Sequence, residues 1–160
     1  MKKIIPTLLS ITLFFILCLV VGCGLSNVVP GDGKPEITFE SITPSKVKDY
    51  LIHGPNVVEI TIGFSDSDGD LGSDSCLVVK ALRPPSSLDP TGGISKYTVP
   101  DLSPRAGSKN ITGKIKIRID NLFITTLDSI QTFPYEIYIT DQSGNKSNVI
   151  TTTPVTITLN

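Results

Sequence analysis

The chain has 160 residues, of which 39% are hydrophobic and 18% are charged, so its composition fits one globular domain with a short additional segment and excludes a largely disordered chain. The formal net charge is −1, and no stripe of lysine and arginine with interleaved aromatic residues is present, which argues against a nucleic-acid partner. A single histidine, and the lack of any G-x-S-x-G, H-E-x-x-H or phosphate-binding Gly-Lys motif, indicate that the protein is not an enzyme.

The N-terminal residues are typical of a secretion signal. A short basic stretch, residues 1–3, precedes an uncharged and mostly apolar run at 4–21. The sequence VVGC that ends at Cys23 resembles a bacterial lipobox, in which the cysteine receives diacylglycerol before cleavage in front of it. We therefore expect a lipoprotein signal peptide at 1–22 and a mature N-terminus at Cys23 that carries diacylglycerol and an N-terminal acyl chain. An uncleaved membrane helix is the alternative, since 18 apolar residues lie at the lower limit for spanning a core of ~30 Å.

Residues 23–35 form the predicted link between the lipid and the folded domain. The stretch GLSNVVPGDGKP at 24–35 has three glycines, two prolines and no hydrophobic periodicity, as expected of a flexible tether. The domain is therefore predicted at 36–160. After cleavage of the signal peptide and acylation of Cys23, Cys76 is the one cysteine left in the domain, and its place at the start of the apolar run CLVV predicts a buried, unreactive thiol.

Alternation of apolar and polar side chains with a period of two dominates the rest of the chain and predicts β-strands. In one segment isoleucines alternate with Lys114, Lys116 and Arg118, so the three cations are expected on a solvated sheet face and not in a binding patch. The pattern predicts strands at 58–64, 114–119, 133–140 and 155–159, and more weakly at 37–42, 77–82 and 96–99.

The strand pattern predicts an all-β domain, because no window of 36–160 has a sustained apolar period of 3.6 residues. Antiparallel pairing of six or seven short strands favours an immunoglobulin-like Greek-key β-sandwich, with a small barrel as the alternative. Pro154 cannot donate to a β-ladder, so the last strand is expected to be an edge strand or to carry a bulge. The Pro/Gly/Ser-rich stretch at 83–110 is either a functional loop or a mobile insertion.

The stretch FSDSDGDLGSDS contains the most specific candidate site. Asp66, Asp68 and Asp70 alternate along it, and a turning backbone can aim such carboxylates inward at the radius that calcium prefers. The loop does not match an EF-hand, which needs Gly at the sixth position and Glu at the twelfth, where this chain has Leu71 and Leu77. Both a site for a hard cation, with calcium as the candidate ion, and an ordinary solvated turn remain open.

A second acidic segment, DQSGN, follows a strong predicted strand and begins with Asp141. In an immunoglobulin-like sandwich the loop between the second and third strands and the loop before the last strand lie at the same end. Asp141 is therefore predicted to join Asp66, Asp68 and Asp70 as a ligand. An exposed site borne on loops predicts an affinity of roughly 10⁻⁴ to 10⁻³ M.

Two sets of residues carry a family resemblance. They are Phe64, Asp66, Asp68, Gly69, Asp70, Leu71 and Gly72, and later Asp141, Gly144, Asn145, Ser147 and Asn148. Together they resemble a recurrent class of uncharacterised Bacteroidota lipoproteins, in which an aromatic residue precedes D-x-D-G-D-L-G and a later segment reads D-x-x-G-N-x-S-N. The resemblance implies an immunoglobulin-like or cadherin-like β-sandwich at the outer membrane, facing either the periplasm or the cell surface, with no assigned activity. It also suggests O-glycosylation of Ser129 in the pattern D-S-I, although chance is the better explanation of a three-residue match.

Two functions remain open for such a domain. The first is a structural or adhesion-like binding module, held at the membrane by its lipid and stiffened by calcium, with another envelope protein as partner. The second is a cell-surface glycan-binding accessory protein of a polysaccharide-uptake system. The absence of Trp and the presence of four Tyr residues leave little aromatic surface to stack on sugar rings, which disfavours the second function.

Overall fold

β-Strands make up nearly all the regular structure of the residues that the structure describes. The computed structural model describes residues 33–72, 74–99 and 110–160, and these ranges contain ten strands and one short helix. The strands are β1 (Glu36–Thr43), β2 (Lys46–Lys48), β3 (Val57–Asp66), β4 (Cys76–Ala81), β5 (Ile94–Thr98), β6 (Ile111–Asp120), β7 (Ile130–Phe133), β8 (Tyr135–Thr140), β9 (Ile150–Thr151) and β10 (Val155–Thr158). The helix, α1, spans Tyr50–His53, and the Asp49 side chain caps it by accepting a hydrogen bond from the backbone N–H of Leu51.

The described strands form three hydrogen-bonded sheets, with the orders β1-β3-β6, β5-β4-β8-β9 and β2-β10-β7. Strand pairing in these sheets is antiparallel except between β2 and β10, which run parallel. The prediction of an all-β domain with antiparallel sheets is therefore confirmed. The finer assignment to an immunoglobulin-like Greek-key arrangement stays a prediction.

Strands from all three sheets contribute to one apolar core. The side chains that alternate in the sequence point into it, so that Val58, Ile60 and Ile62 of β3 are all fully buried. Burial of an aliphatic side chain of this size contributes roughly 1.5–3 kcal/mol. The fully buried apolar side chains include Ile37, Val58, Ile60, Ile62, Leu71, Val79, Val99, Ile137, Ile139, Val155 and Ile157.

The outer face of the β1-β3-β6 sheet is charged and exposed. Its ion pairs join Lys114 to Glu40 at 2.7 Å, Lys116 to Glu59 at 2.8 Å and Arg118 to Asp120 at 2.8 Å. The sequence-based prediction that these three cations lie on a solvated sheet face is confirmed. Such exposed pairs contribute little stability, about 0–1 kcal/mol each.

Two prolines mark the points where the chain passes between sheets. Pro134 separates β7, which pairs with β10, from β8 in the four-stranded sheet, and Pro154 separates β9 from β10. Because proline lacks an N–H, it interrupts a ladder at such a crossing. The prediction that the last strand is an edge strand or carries a bulge is wrong, because β10 lies between β2 and β7 and pairs with both without a register shift.

The first part of the predicted loop at 83–110 is folded against the four-stranded sheet. The Arg83 guanidinium donates to the Asp89 carboxylate at 2.8 Å and to the Phe123 carbonyl oxygen at 2.9 Å. The chain then continues into β5, which pairs with β4. Residues 100–109 lie outside the described residues, and a functional role for the loop stays a prediction.

The predicted signal peptide at 1–22 and the lipidation site Cys23 lie outside the described residues, as does the tether as far as residue 32. Across the described ranges, helix length and apolar character nowhere reach what a membrane crossing requires. The signal peptide, the lipid anchor and the domain boundaries therefore stay predictions.

Candidate metal centre

The candidate site lies where β3 ends and the chain turns toward β4. Asp66 is the last residue of β3 and pairs with Ile111, the first residue of β6. Five residues later Leu71 returns into the apolar core and is fully buried. The strand end and the buried leucine fix both ends of a short loop that carries Asp68 and Asp70.

Asp66 is buried within this loop, with 1% of its surface exposed. Its Oδ2 accepts a hydrogen bond from the backbone N–H of Leu71 at 2.9 Å. Its Oδ1 is shielded from solvent and receives no hydrogen bond from any described residue. A buried carboxylate oxygen without a donor is costly, because it has lost water and gained no replacement.

Three carboxylates converge at this point. Asp66, Asp68 and Asp70 each offer an oxygen that lies within 4.8 Å of the corresponding oxygens of the other two. Asp70 is half-buried and Asp68 is exposed, so the group is open to solvent on one side. Oδ1 of Asp70, like Oδ1 of Asp66, is buried and has no donor among the described residues. The cluster could therefore hold a metal ion.

The cluster strongly perturbs the titration of its buried member. Burial, together with the carboxylates of Asp68 and Asp70, raises the pKa of Asp66 from 3.8 to about 6, although the hydrogen bond from the Leu71 N–H acts in the opposite direction. In the folded chain without a cation, ionisation of all three carboxylates is therefore energetically unfavourable. A bound cation would remove that resistance.

The loop after β8 meets the aspartate loop through Ser143. Its backbone N–H donates to Oδ2 of Asp70 at 3.1 Å, and its hydroxyl donates to the same oxygen. The sequence predicts that these two loops lie at the same end of the domain, but it does not identify Ser143 as a contact. The one available signal was a hydroxyl residue two positions after Asp141 in a turn-forming segment.

Asp141 has a different role from the predicted one in the described geometry. It is buried, and it lies outside the group formed by Asp66, Asp68 and Asp70. Its Oδ1 accepts from the backbone N–H of Asn145 at 2.7 Å, and its Oδ2 accepts from Nδ2 of Asn145 at 3.1 Å. Both oxygens therefore stabilise the turn that carries Ser143, so Asp141 supports the site through that turn.

Two glycines give the aspartate loop its shape in different ways. Gly69 has a φ of +78°, in the left-handed region that favours glycine. At Gly72 a Cβ would lie 2.7 Å from Nε2 of the exposed Gln142 side chain, so a substitution there would require that side chain to move. Gly72 therefore leaves room for the Gln142 side chain of the loop after β8.

The remaining predicted residues lie away from the cluster. Cys76 is a free thiol at the start of β4 and is only half-buried, so the prediction of a buried cysteine is wrong, because alternation places it on the same face of the strand as the exposed Lys80. Ser129 is exposed immediately before β7, and its carbonyl oxygen accepts from the Leu159 N–H at 3.0 Å. Its glycosylation stays a prediction.

Comparison with known proteins adds no assignment to this geometry. The chain matches no protein-family model, and no curated protein matches it. The candidate site is therefore interpreted from the contacts of its own residues.

Proposed function

We propose that the domain is a calcium-binding structural or adhesion-like module of the cell envelope, attached to the membrane through a lipid on Cys23. The observation that carries the calcium site is Oδ1 of Asp66, which is buried, receives no hydrogen bond from the described residues and lies in a group of three convergent carboxylates. A cation supplies the partner that this oxygen lacks. An acidic cluster on an open surface would have no such requirement, because water would satisfy it.

The donor set favours calcium among common metal ions. Carboxylate oxygens are hard ligands, and Ca²⁺ accepts six to eight oxygens in flexible geometry, so water can complete the coordination on the side where Asp68 is exposed. Zinc prefers cysteine and histidine, and neither residue type belongs to the group of three. A group of three carboxylates that is open to solvent on one side fits a calcium dissociation constant in the range of extracellular calcium-binding modules, roughly 10⁻⁴ to 10⁻³ M.

The position of the site supports a role at the attachment end of the domain. Glu36, at the start of β1, pairs with Ser65, the neighbour of Asp66 in β3. The chain that leads to Cys23 therefore enters the domain at the same end as the candidate metal centre. A cation bound there would stiffen the end of the domain at which residues 33–36 enter the fold.

Thermal melting of the full chain in detergent, with and without millimolar calcium, tests the metal site. Calcium that binds only the folded form raises the melting temperature according to RT ln(1 + [L]/Kd). Asp68→Asn removes an exposed carboxylate of the cluster and should abolish the rise, whereas Asp74→Asn, an exposed aspartate of the same loop outside the cluster, should retain it. Equal rises in both variants, or no rise in the wild type, would rule out the site.

Membrane attachment requires a separate measurement. Cells that express the wild type and Cys23→Ser are labelled with a radioactive fatty acid and then fractionated. The wild type should carry label and sediment with the outer membrane, and Cys23→Ser should carry none and leave the membrane fraction. Label on Cys23→Ser, or unlabelled wild type, would contradict the lipid anchor.

A further inference from the structure

The segment at 33–37, which leads into β1 and includes its first two residues, lies directly against the candidate metal centre. Gly33 has a φ of +71°, and a Cβ placed on it would lie 2.8 Å from Oδ2 of Asp68. The Gly33 carbonyl oxygen also accepts a hydrogen bond from Nδ2 of Asn145 at 3.2 Å. The backbone angle favours glycine at this position, and a Cβ there would displace the Asp68 carboxylate.

The turn at 141–148 holds the same segment from its other side. The side chain of Asn148 makes a reciprocal pair with the backbone of Ile37, accepting from its N–H and donating to its carbonyl oxygen, both at 2.8 Å. Ser143 of the same turn donates to Asp70 in the cluster. The cluster, the turn and the N-terminal segment therefore form one connected set of contacts.

We infer that cation binding at Asp66, Asp68 and Asp70 docks the segment 33–37, so that the ion controls how firmly the domain is held at its N-terminal attachment. The inference rests on the proposed calcium site and adds to it a coupled intramolecular partner. Among the three carboxylates Asp68 is the exposed one, so mutual repulsion displaces it most readily when no ion is bound. A bound ion holds Asp68 in the position where it packs against Gly33.

The coupling is reciprocal by thermodynamic linkage. If the ion strengthens docking of residues 33–37 by a given factor, the docked segment strengthens ion binding by the same factor. A change at Gly33 that displaces Asp68 must therefore weaken calcium binding, although Gly33 itself offers no carboxylate. A weaker calcium affinity after a change at Gly33 would therefore distinguish thermodynamic coupling from mere proximity of Gly33 to Asp68.

Hydrogen–deuterium exchange of the full chain in detergent, with calcium or with a chelator, tests the inference directly. Calcium should slow exchange of the amides in 34–38 by about five- to tenfold, the range of an ordinary coupling free energy. In Gly33→Ala the added methyl group would meet Oδ2 of Asp68, so this protection should disappear and the calcium Kd from calorimetry should rise by a similar factor. The wild-type exchange result does not depend on how well the variant folds.

Gly54→Ala is the matched control. Gly54 also has a positive φ, +83°, but a Cβ there would meet no atom within 4 Å, so this variant carries the backbone strain without the contact to the cluster. It should keep both the calcium affinity and the protection of 34–38. Calcium binding by the wild type without slower exchange in 34–38, or equal calcium affinity in Gly33→Ala and Gly54→Ala, would overturn the coupling and leave the calcium site standing. No calcium binding by the wild type would overturn both.

Discussion

Ser143 donates two hydrogen bonds to one carboxylate oxygen of Asp70, one from its backbone N–H and one from its hydroxyl, although 73 positions separate the two residues in the sequence. The contact joins the loop after β3 to the loop after β8 at the candidate metal centre. Because both bonds go to Oδ2, they leave Oδ1 of Asp70 buried and without a donor among the described residues. Oδ1 is therefore the oxygen left to face a cation.

Ser143→Ala tests this orienting role. The substitution removes the hydroxyl bond and keeps the backbone bond, so the Asp70 carboxylate becomes less well fixed, at a cost of about 1 kcal/mol. We expect the calcium Kd, measured by calorimetry, to rise about threefold to tenfold. Ser45→Ala, at an exposed serine before β2, should leave the Kd unchanged. An unchanged Kd in Ser143→Ala would show that the hydroxyl does not orient the ligand.

Asp66→Asn should make the calcium-free domain more stable at neutral pH. The folded chain, in which the pKa of Asp66 is about 6, binds this proton more tightly than the unfolded chain, whose aspartate titrates near 3.8. Folding therefore takes up a proton between these pH values, and the calcium-free wild type loses stability as the pH rises from about 4 to 6. Asparagine keeps an oxygen that can accept from the Leu71 N–H and removes the charge.

Urea unfolding in the presence of a chelator, at a series of pH values, measures this effect. Between pH 4 and 7 the free energy of unfolding of the wild type should fall by on the order of 2 kcal/mol more than that of Asp66→Asn. At 1 mM calcium this difference at pH 7 should shrink by about 0.4–1.4 kcal/mol, because only the wild type gains binding energy. Asp74→Asn, which changes an exposed charge of the same loop, should follow the wild-type profile. Parallel profiles for the wild type and Asp66→Asn would contradict the raised pKa.

The strands were predictable because their side chains alternate in a way that only a half-buried strand requires. In β3 the period-2 pattern runs through Val58, Ile60 and Ile62, and all three are buried. The short strands β2, β7 and β9 were not predicted. β2 and β9 have only three and two residues, too few to establish a period, and the sequence IQTF of β7 does not alternate apolar and polar side chains. Their pairing depends on where Pro134 and Pro154 direct the chain, which is a tertiary property.

The candidate metal centre was predictable in its composition and less so in its geometry. The spacing of Asp66, Asp68 and Asp70 identified three carboxylates that do converge. The spacing of aspartates in a sequence shows how many carboxylates a loop carries but not where those carboxylates point. The hydrogen bonds that Asn145 donates to Asp141 therefore could not be predicted. Residue type alone does not distinguish an aspartate that accepts hydrogen bonds within a turn from an aspartate that could bind a metal ion.

Leu71→Ala should damage both the fold and the site. Leu71 is 1% exposed, so truncation leaves a cavity in the core and should lower the free energy of unfolding by about 2–5 kcal/mol. The backbone N–H that holds Oδ2 of Asp66 belongs to the same residue, so calcium binding should weaken as well. Leu51→Ala, on a leucine of α1 that is 62% exposed, should change stability by less than about 0.5 kcal/mol. Comparable losses in the two variants would show that Leu71 does not anchor the loop.

The Arg83–Asp89 pair should be far more important for stability than the Arg118–Asp120 pair, although both have a separation of 2.8 Å. The side chains of the first pair are 9% and 12% exposed, and those of the second are 69% and 47% exposed. The Arg83 guanidinium also lies 4.9 Å from the ring centroid of Phe133. Loss of one partner from a buried pair leaves the other charge without compensation, whereas water replaces the partner in an exposed pair.

We therefore expect Arg83→Met to lower the free energy of unfolding by about 3 kcal/mol and Arg118→Met by less than about 1 kcal/mol, as measured by urea unfolding. Burial alone would raise the pKa of Asp89, but hydrogen bonds from Thr91 and Arg83, and the charge of Arg83, hold it below its ordinary value of 3.8. The stability that Asp89 contributes is therefore complete above that pH and is lost as the pH falls below it. Arg83→Met should flatten this acid-side loss, and Arg118→Met should keep it. Equal destabilisation by the two substitutions would mean that burial does not distinguish these pairs.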